Sequence, residues 1–93
     1  MRISLKLGDP LWRAAGKREL TLDLPEPATV DDALAALARA YPEAGKEMRL
    51  GTGESDFYYS LFVNDRLVLF ARRQESLLRD GDVISVLLPL AGG

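Results

Sequence analysis

Apolar and polar residues alternate strictly through "RISLKL", where Ile3, Leu5 and Leu7 are set against Arg2, Ser4 and Lys6. That is the period of a strand with one buried face. "RELTLDL" repeats the pattern, with Leu20, Leu22 and Leu24 opposed to Glu19, Thr21 and Asp23. The intervening "GDPLWRAAGK" carries the turn formers Gly8, Asp9, Pro10 and Gly16, so the two strands are expected to pair as an antiparallel hairpin. Trp12 lies in that connection and reads as a loop aromatic folded over the edge of the core.

The period changes in "PEPATVDDALAALARAYP". Val30, Leu34, Leu37 and Tyr41 share one face at helical spacing, and Thr29 and Asp32 have the spacing of a capping box. A helix is predicted from about Val30 to Tyr41, ended by Pro42 and covering a sheet with its apolar face. "EAGKEMRLGTGESD" reads as a loop, because Gly45, Gly51 and Gly53 interrupt any periodicity, with at most a short helical turn around Lys46 to Leu50.

Strand character returns in "FYYSLFVND", with Tyr59, Leu61 and Val63 on one face, Tyr58 and Phe62 on the other, and Asn64-Asp65 as a turn. "RLVLF" makes a short strand. In "RDGD", Arg79 to Asp82, Gly81 supplies positive φ to a tight turn, and the nearly all-apolar "VISVLLPL" suits a central strand. The order strand, strand, helix, strand, short strand, strand implies an α+β chain with a mixed sheet of about five strands and one main helix packed across it, a β-grasp (ubiquitin-like) outline. Its core is expected to hold Ile3, Leu5, Leu20, Leu22, Leu34, Leu37, Leu61, Val63, Leu78, Val83 and Val86.

A chain of 93 residues with 47% hydrophobic content has room for one core, so residues 1–93 are read as a single domain with a flexible C-terminal tail at 89–93. No apolar run approaches a membrane span, and no signal peptide opens the chain; the cytoplasm is the expected compartment. The net charge of −2, with both signs interspersed, supplies no footprint for nucleic acid or a membrane. There is neither Cys nor His, which excludes thiol nucleophiles, disulfides, iron–sulfur ligation, His general bases and the usual zinc sites. The 14 acidic residues are spread over turns and solvent faces rather than paired, so chemistry is expected from a partner. The chain closes on "LLPLAGG", placing Gly92 and Gly93 last.

"FVND" (Phe62 to Asp65), "LLRDGDVISVLLP" (Leu77 to Pro89) and "AGG" (Ala91 to Gly93), in this order and approximate spacing, resemble the small ubiquitin-like sulfur carriers of the MoaD/ThiS family, which include the molybdopterin synthase small subunit. "ATVDDALAALARAYP" resembles that family's helix and "LWRAAGKREL" its first hairpin connection. The chain departs from many relatives in having Leu88-Pro89 where they carry two prolines, and in Leu90. Its long "GKEMRLGTGESDFYYS" segment resembles the longer members, among them carriers for cysteine synthesis and proteins that become attached to other proteins.

The resemblance implies a non-catalytic sulfur donor with no bound cofactor. An ATP-dependent activating enzyme would adenylate the Gly93 carboxylate, and a sulfur donor protein would convert it to a thiocarboxylate. The thiocarboxylate would serve molybdopterin (molybdenum cofactor) biosynthesis beside a large subunit that does the catalysis. The alternatives are a ubiquitin-like protein modifier, a carrier for cysteine, thiazole or tRNA thiolation, and a passive β-grasp interaction module. Glycine has no Cβ to obstruct a narrow site, Gly92 adds backbone freedom, and Pro89 stiffens the exit from the strand, so Pro89, Leu90, Ala91 and Gly92 are the residues expected to thread. Phe62, Phe70 and Leu88 are candidates for an apolar partner surface, and Arg72 and Arg73 for charge complementarity to it.

Overall fold

Leu5 faces Leu20 across one neighbouring strand and Ile84 across the other, and all three side chains are buried. Around that row the computed structural model, which describes residues 1–48 and 59–88, builds a five-stranded sheet. Its strands are β1 (Arg2–Leu7), β2 (Glu19–Asp23), β3 (Ser60–Val63), β4 (Arg66–Val68) and β5 (Val83–Leu87), in the spatial order β2-β1-β5-β3-β4. β1 and β5 run parallel, and the other three pairings are antiparallel. The first and last strands are therefore neighbours, with β5 in the middle as its unbroken apolar run requires. This is the mixed-sheet β-grasp arrangement expected from the order of elements.

Three helices cover one face: α1 (Leu11–Ala15), α2 (Val30–Ala40) and α3 (Pro42–Met48). α2 begins with a reciprocal capping box. The Thr29 hydroxyl accepts from the Asp32 N–H at 3.2 Å, and the Thr29 N–H donates to the Asp32 carboxylate at 2.9 Å. Val30, Ala33, Leu34 and Leu37 of α2 are fully or almost fully buried against Ile3, Leu5, Leu61, Ile84 and Val86 in a single core cluster. A 3₁₀ turn at Phe70–Arg72 leads into an extended segment whose Leu77 bridges Thr29.

Four features correct the sequence reading. The connection between β1 and β2 contains α1, with Leu11 fully buried, where only turn residues were anticipated. α3 occupies part of the stretch read as a loop. Pro42 does end α2, since the preceding Tyr41 takes an extended backbone with φ −132° and ψ 82°, but it also stands first in the next helix, where its missing N–H costs nothing. Gly45 is not a breaker. A Cβ added there would lie 2.8 Å from the Ala38 Cβ, so the glycine lets α3 approach α2 closely.

The fourth correction concerns the core. Val83 is only partly buried and lies on the opposite face from the core, while Ile84 is fully buried, because Leu5 pairs with Ile84 and Leu7 with Val86. An uninterrupted apolar run carries no alternation from which to read this phase. Leu22 sits at the margin of the core rather than within it. Tyr58 and residues 49–57 of the expected loop lie outside the described residues.

Candidate functional site

β5 aims the chain toward residues 89–93, so the ends of this strand define the site. At its start, the two motifs "FVND" and "RDGD" meet. The Asn64 amide donates to the Asp82 carboxylate at 2.8 Å and its carbonyl oxygen accepts from the Val83 N–H at 3.0 Å. The other Asp82 oxygen accepts from the Arg79 N–H at 2.8 Å, and the Asp80 carboxylate from the Arg2 N–H at 2.7 Å. Asn64 and Asp65 both have positive φ, at 49° and 69°, which is the geometry of a tight two-residue hairpin turn; Gly81 takes φ 88°. These contacts hold the β3–β4 turn, β1 and the start of β5 together, a structural task that engages both oxygens of Asp82 and one of Asp80 with backbone and amide donors.

At the other end, the Gly8 N–H donates to the Val86 carbonyl at 3.0 Å, and a Cβ on Gly8 would lie 3.1 Å from the Leu87 side chain. The absence of a side chain at Gly8 lets Leu87 pack over the end of β1. Gly93, Gly92, Ala91, Leu90 and Pro89, the residues expected to react and to thread, lie outside the described residues.

The sheet face turned away from the helices is divided. On the β1–β2 half it presents Arg2, Ser4, Lys6, Glu19, Thr21 and Asp23. On the β5–β3–β4 half, Phe62 faces Leu67 on one side and Ser85 on the other, Leu87 faces Ser60, and Val83 shares the same face. Leu67 is 60% exposed, and Leu87 and the following Leu88 about 40%. Exposed leucines around a half-buried phenylalanine, bordered by serines and charges, have the make-up of an interface centre with a polar rim. Phe62 lies on this face, and Leu88, the residue after β5, is exposed. Leu67 was missed because "RLVLF" is too short to display a period, although the two-residue turn at Asn64-Asp65 reflects Leu67 onto Phe62.

Phe70, Arg72 and Arg73 lie elsewhere. The Arg73 guanidinium stacks 3.9 Å from the centre of the Phe70 ring and donates to Asp31, in the first turn of α2, at 2.8 Å. With its side chain only 16% exposed, Arg73 fastens the 3₁₀ segment to the helical side of the sheet. Arg72 is exposed and pairs with Glu75 at 2.7 Å. Trp12 packs at the margin of the core, with the guanidinium groups of Arg18 and Arg13 at 4.4 and 5.0 Å from its ring centre. The Tyr59 hydroxyl donates to Glu47 at 2.9 Å; burial, with that carboxylate beside it, pushes the phenol further up from its usual range and keeps it protonated. Among the described residues, no group of carboxylates is arranged to hold a metal ion and no helix is long and apolar enough to cross a membrane.

The sequence pattern of the ThiS family matches residues 6–93, from within β1 through the closing glycines. The chain belongs to the ThiS family. Its members are small ubiquitin-like sulfur carriers of the MoaD/ThiS type. Among solved structures, the small archaeal modifier protein 1 of Methanosarcina acetivorans is 30% identical, with a TM-score of 0.75 over 99% of this chain and 96% of that one. A molybdopterin converting factor subunit 1, so described for Pyrococcus furiosus, is 28% identical, with a TM-score of 0.77 over 97% and 99%. A chain of the complex of subunits 1 and 2 of the molybdopterin-converting factor of Helicobacter pylori is 25% identical, with a TM-score of 0.64 over the whole of both chains. No curated protein matches the sequence significantly.

Proposed function

We propose that this ThiS-family chain is a sulfur carrier whose Gly93 carboxylate is adenylated and converted to a thiocarboxylate, and that it delivers sulfur as the small subunit of a molybdopterin-synthase-like pair. The observation that carries this reading is the family pattern continuing past β5 to residue 93. The chemistry follows from the terminus. A carboxylate is a poor electrophile; transfer of AMP from ATP, with release of pyrophosphate, gives it a leaving group. The terminal sulfur of a donor protein's persulfide then attacks the Gly93 carbonyl carbon and expels AMP, giving an acyl disulfide; a thiol of the partner proteins cleaves its S–S bond, which leaves the thiocarboxylate on Gly93 and a disulfide on the donor side. ATP is used by the activating enzyme and is not held by this chain.

The half-buried Phe62 and the exposed Leu67, Leu87 and Leu88 supply an apolar surface on which the activating enzyme or the larger subunit would seat the sheet, with β5 leading into the partner's site. The likeness to subunit 1 of the molybdopterin-converting factor, and to a chain of its two-subunit complex, favours that acceptor. The 30% identity to a small archaeal modifier protein favours a second reading, in which the same activated carboxylate is attacked by a lysine amine to form an isopeptide. Intact mass of the protein from its native host separates the two: exchange of oxygen for sulfur at the terminus supports the carrier, a protein-sized adduct supports the modifier, and an unaltered carboxylate under sulfur-replete growth overturns both.

A further inference from the structure

We propose that the open edge of β4 takes an extended acidic segment of a partner protein as an additional strand, in the gap between β4 and the stretch Ser76–Leu78. Both walls of this gap present backbone groups without partners among the described residues. In the β3–β4 hairpin, Val63 and Arg66 flank the two-residue turn and exchange hydrogen bonds, so the next pair, Phe62 and Leu67, is the non-bonded kind. The N–H and C=O of Leu67 therefore point outward, to the edge of the sheet.

The opposite wall has the same property. Val30 N–H donates to the Ser76 carbonyl and Leu78 N–H to the Ala28 carbonyl, both at 2.9 Å, which makes Thr29 and Leu77 another non-bonded pair. The N–H and C=O of Leu77 are thereby turned away from residues 28–30. A trough of about 350 Å³ lies between these walls, lined by Arg66, Leu67, Val68, Ser76 and Leu77 over a floor at Val63. It adjoins a wider one of about 730 Å³ that shares Val63, Arg66 and Leu77 and extends to Arg79 and Pro27. An inserted strand meets a donor and an acceptor on each side, which is how peptides add to sheet edges.

Charge selects the occupant. Arg66 and Arg79 line the wider trough and neither side chain has an ion-pair or hydrogen-bond partner among the described residues. Of the two carboxylates there, that of Asp82 is already engaged by Asn64 and the Arg79 N–H, leaving Glu26 alone against two free guanidinium groups. Leu67 and Leu77, 60% and 69% exposed, stand at the rims and suit apolar residues between the acidic ones. β4 is three residues long, so the main chain contributes few bonds and the arginines must supply selectivity. The gap is two strands from β5, so its occupation is compatible with use of the chain end.

The test is an NMR titration of the whole protein with a blocked five-residue peptide alternating glutamate and valine, beside the same peptide with lysine for glutamate and one with its central amide N-methylated. The acidic peptide is expected to shift the Leu67 and Leu77 amides and slow their hydrogen exchange. N-methylation should abolish this, and the folded double variant Arg66→Glu/Arg79→Glu should weaken binding roughly tenfold or more and prefer the lysine peptide. Equal binding of acidic and basic peptides overturns the proposal, as do shifts confined to Phe62 and Leu87, or no shifts at all. Protection of Leu67 that needs no peptide and grows with protein concentration would replace it with pairing between copies of the chain.

Discussion

Asn64 and Asp82 meet at 2.8 Å across two turns that are far apart in sequence, and the same asparagine accepts from the N–H of Val83, the first residue of β5. This contact sets where the last strand begins and therefore which of its residues face the helices. Replacement of Asn64 by Ala should cost about 0.5–1.5 kcal/mol, since it removes the exposed bonds to the Val83 N–H and one Asp82 oxygen, which water then solvates. Asp82→Ala should cost a similar amount, and the double variant less than the sum. Urea denaturation of the four proteins measures the coupling; strict additivity would mean that the two turns are held independently.

The half-buried Arg73 should matter more than the exposed Arg72. Arg73→Ala removes the pair with Asp31 and the stacking on Phe70, with an expected loss of about 1–3 kcal/mol. Arg72→Ala gives up an exposed pair with Glu75 and should stay within about 0.5 kcal/mol. Thermal denaturation of both variants ranks them, and equal effects would contradict the clamp.

Gly45→Ala pushes a methyl group to within 2.8 Å of the Ala38 Cβ, and is expected to destabilise by roughly 1–3 kcal/mol through overpacking. Adding Ala38→Gly should recover part of the loss by reopening the contact, despite the lower helix propensity of glycine. Failure of the second change to recover any stability in denaturation curves would place the strain elsewhere.

The outer sheet face should separate binding from folding. Leu67→Asp removes an exposed leucine and is expected to leave the melting temperature within a few degrees of the parent, while Phe62→Ala at the centre of the patch should weaken binding by about 2 kcal/mol or more. Calorimetric titration against the activating enzyme, beside circular dichroism, reports both. Undiminished affinity in both folded variants would move the docking surface off this face.

Deletion of Gly93 removes a residue beyond β5 and should leave the melting temperature unchanged, yet abolish ATP–pyrophosphate exchange with the activating enzyme. The electrophilic carbon moves one residue inward, and misplacement of about 1 Å already costs on the order of 10²-fold. Exchange at the parent rate would take the terminal carboxylate out of the mechanism.

Strands with one buried face were legible because alternation states their phase directly, as in Ile3, Leu5 and Leu7. α2 was legible to within a residue, because its cap and its apolar stripe agree. β5 was legible as a strand but not in phase, since every position from Val83 to Leu88 except Ser85 is apolar and the register with β1 decides which of them turn inward. α1 and α3 were hidden for another reason: at five and seven residues they are too short for propensity to outweigh Pro10, Gly16, Pro42 and Gly45, and packing holds them instead. Of the residues expected at a partner surface, Phe62 and Leu88 are left at least partly exposed, apolar residues in excess of one core, whereas Phe70 and Arg73 are drawn inward by a contact with Asp31 that lies 42 positions away and leaves no local pattern.

The parallel pairing of β1 with β5 also decides how the fold bears load. A pull applied between Arg2 and Leu87 acts along the strands in opposite directions, so the ladder from Ser4 with Val83 to Leu7 with Val86 is sheared as a whole, its hydrogen bonds strained together instead of opening one after another. Traction on the end of β5 against the start of β1 therefore meets these bonds acting together, and the chain should resist it as a mechanically rigid handle.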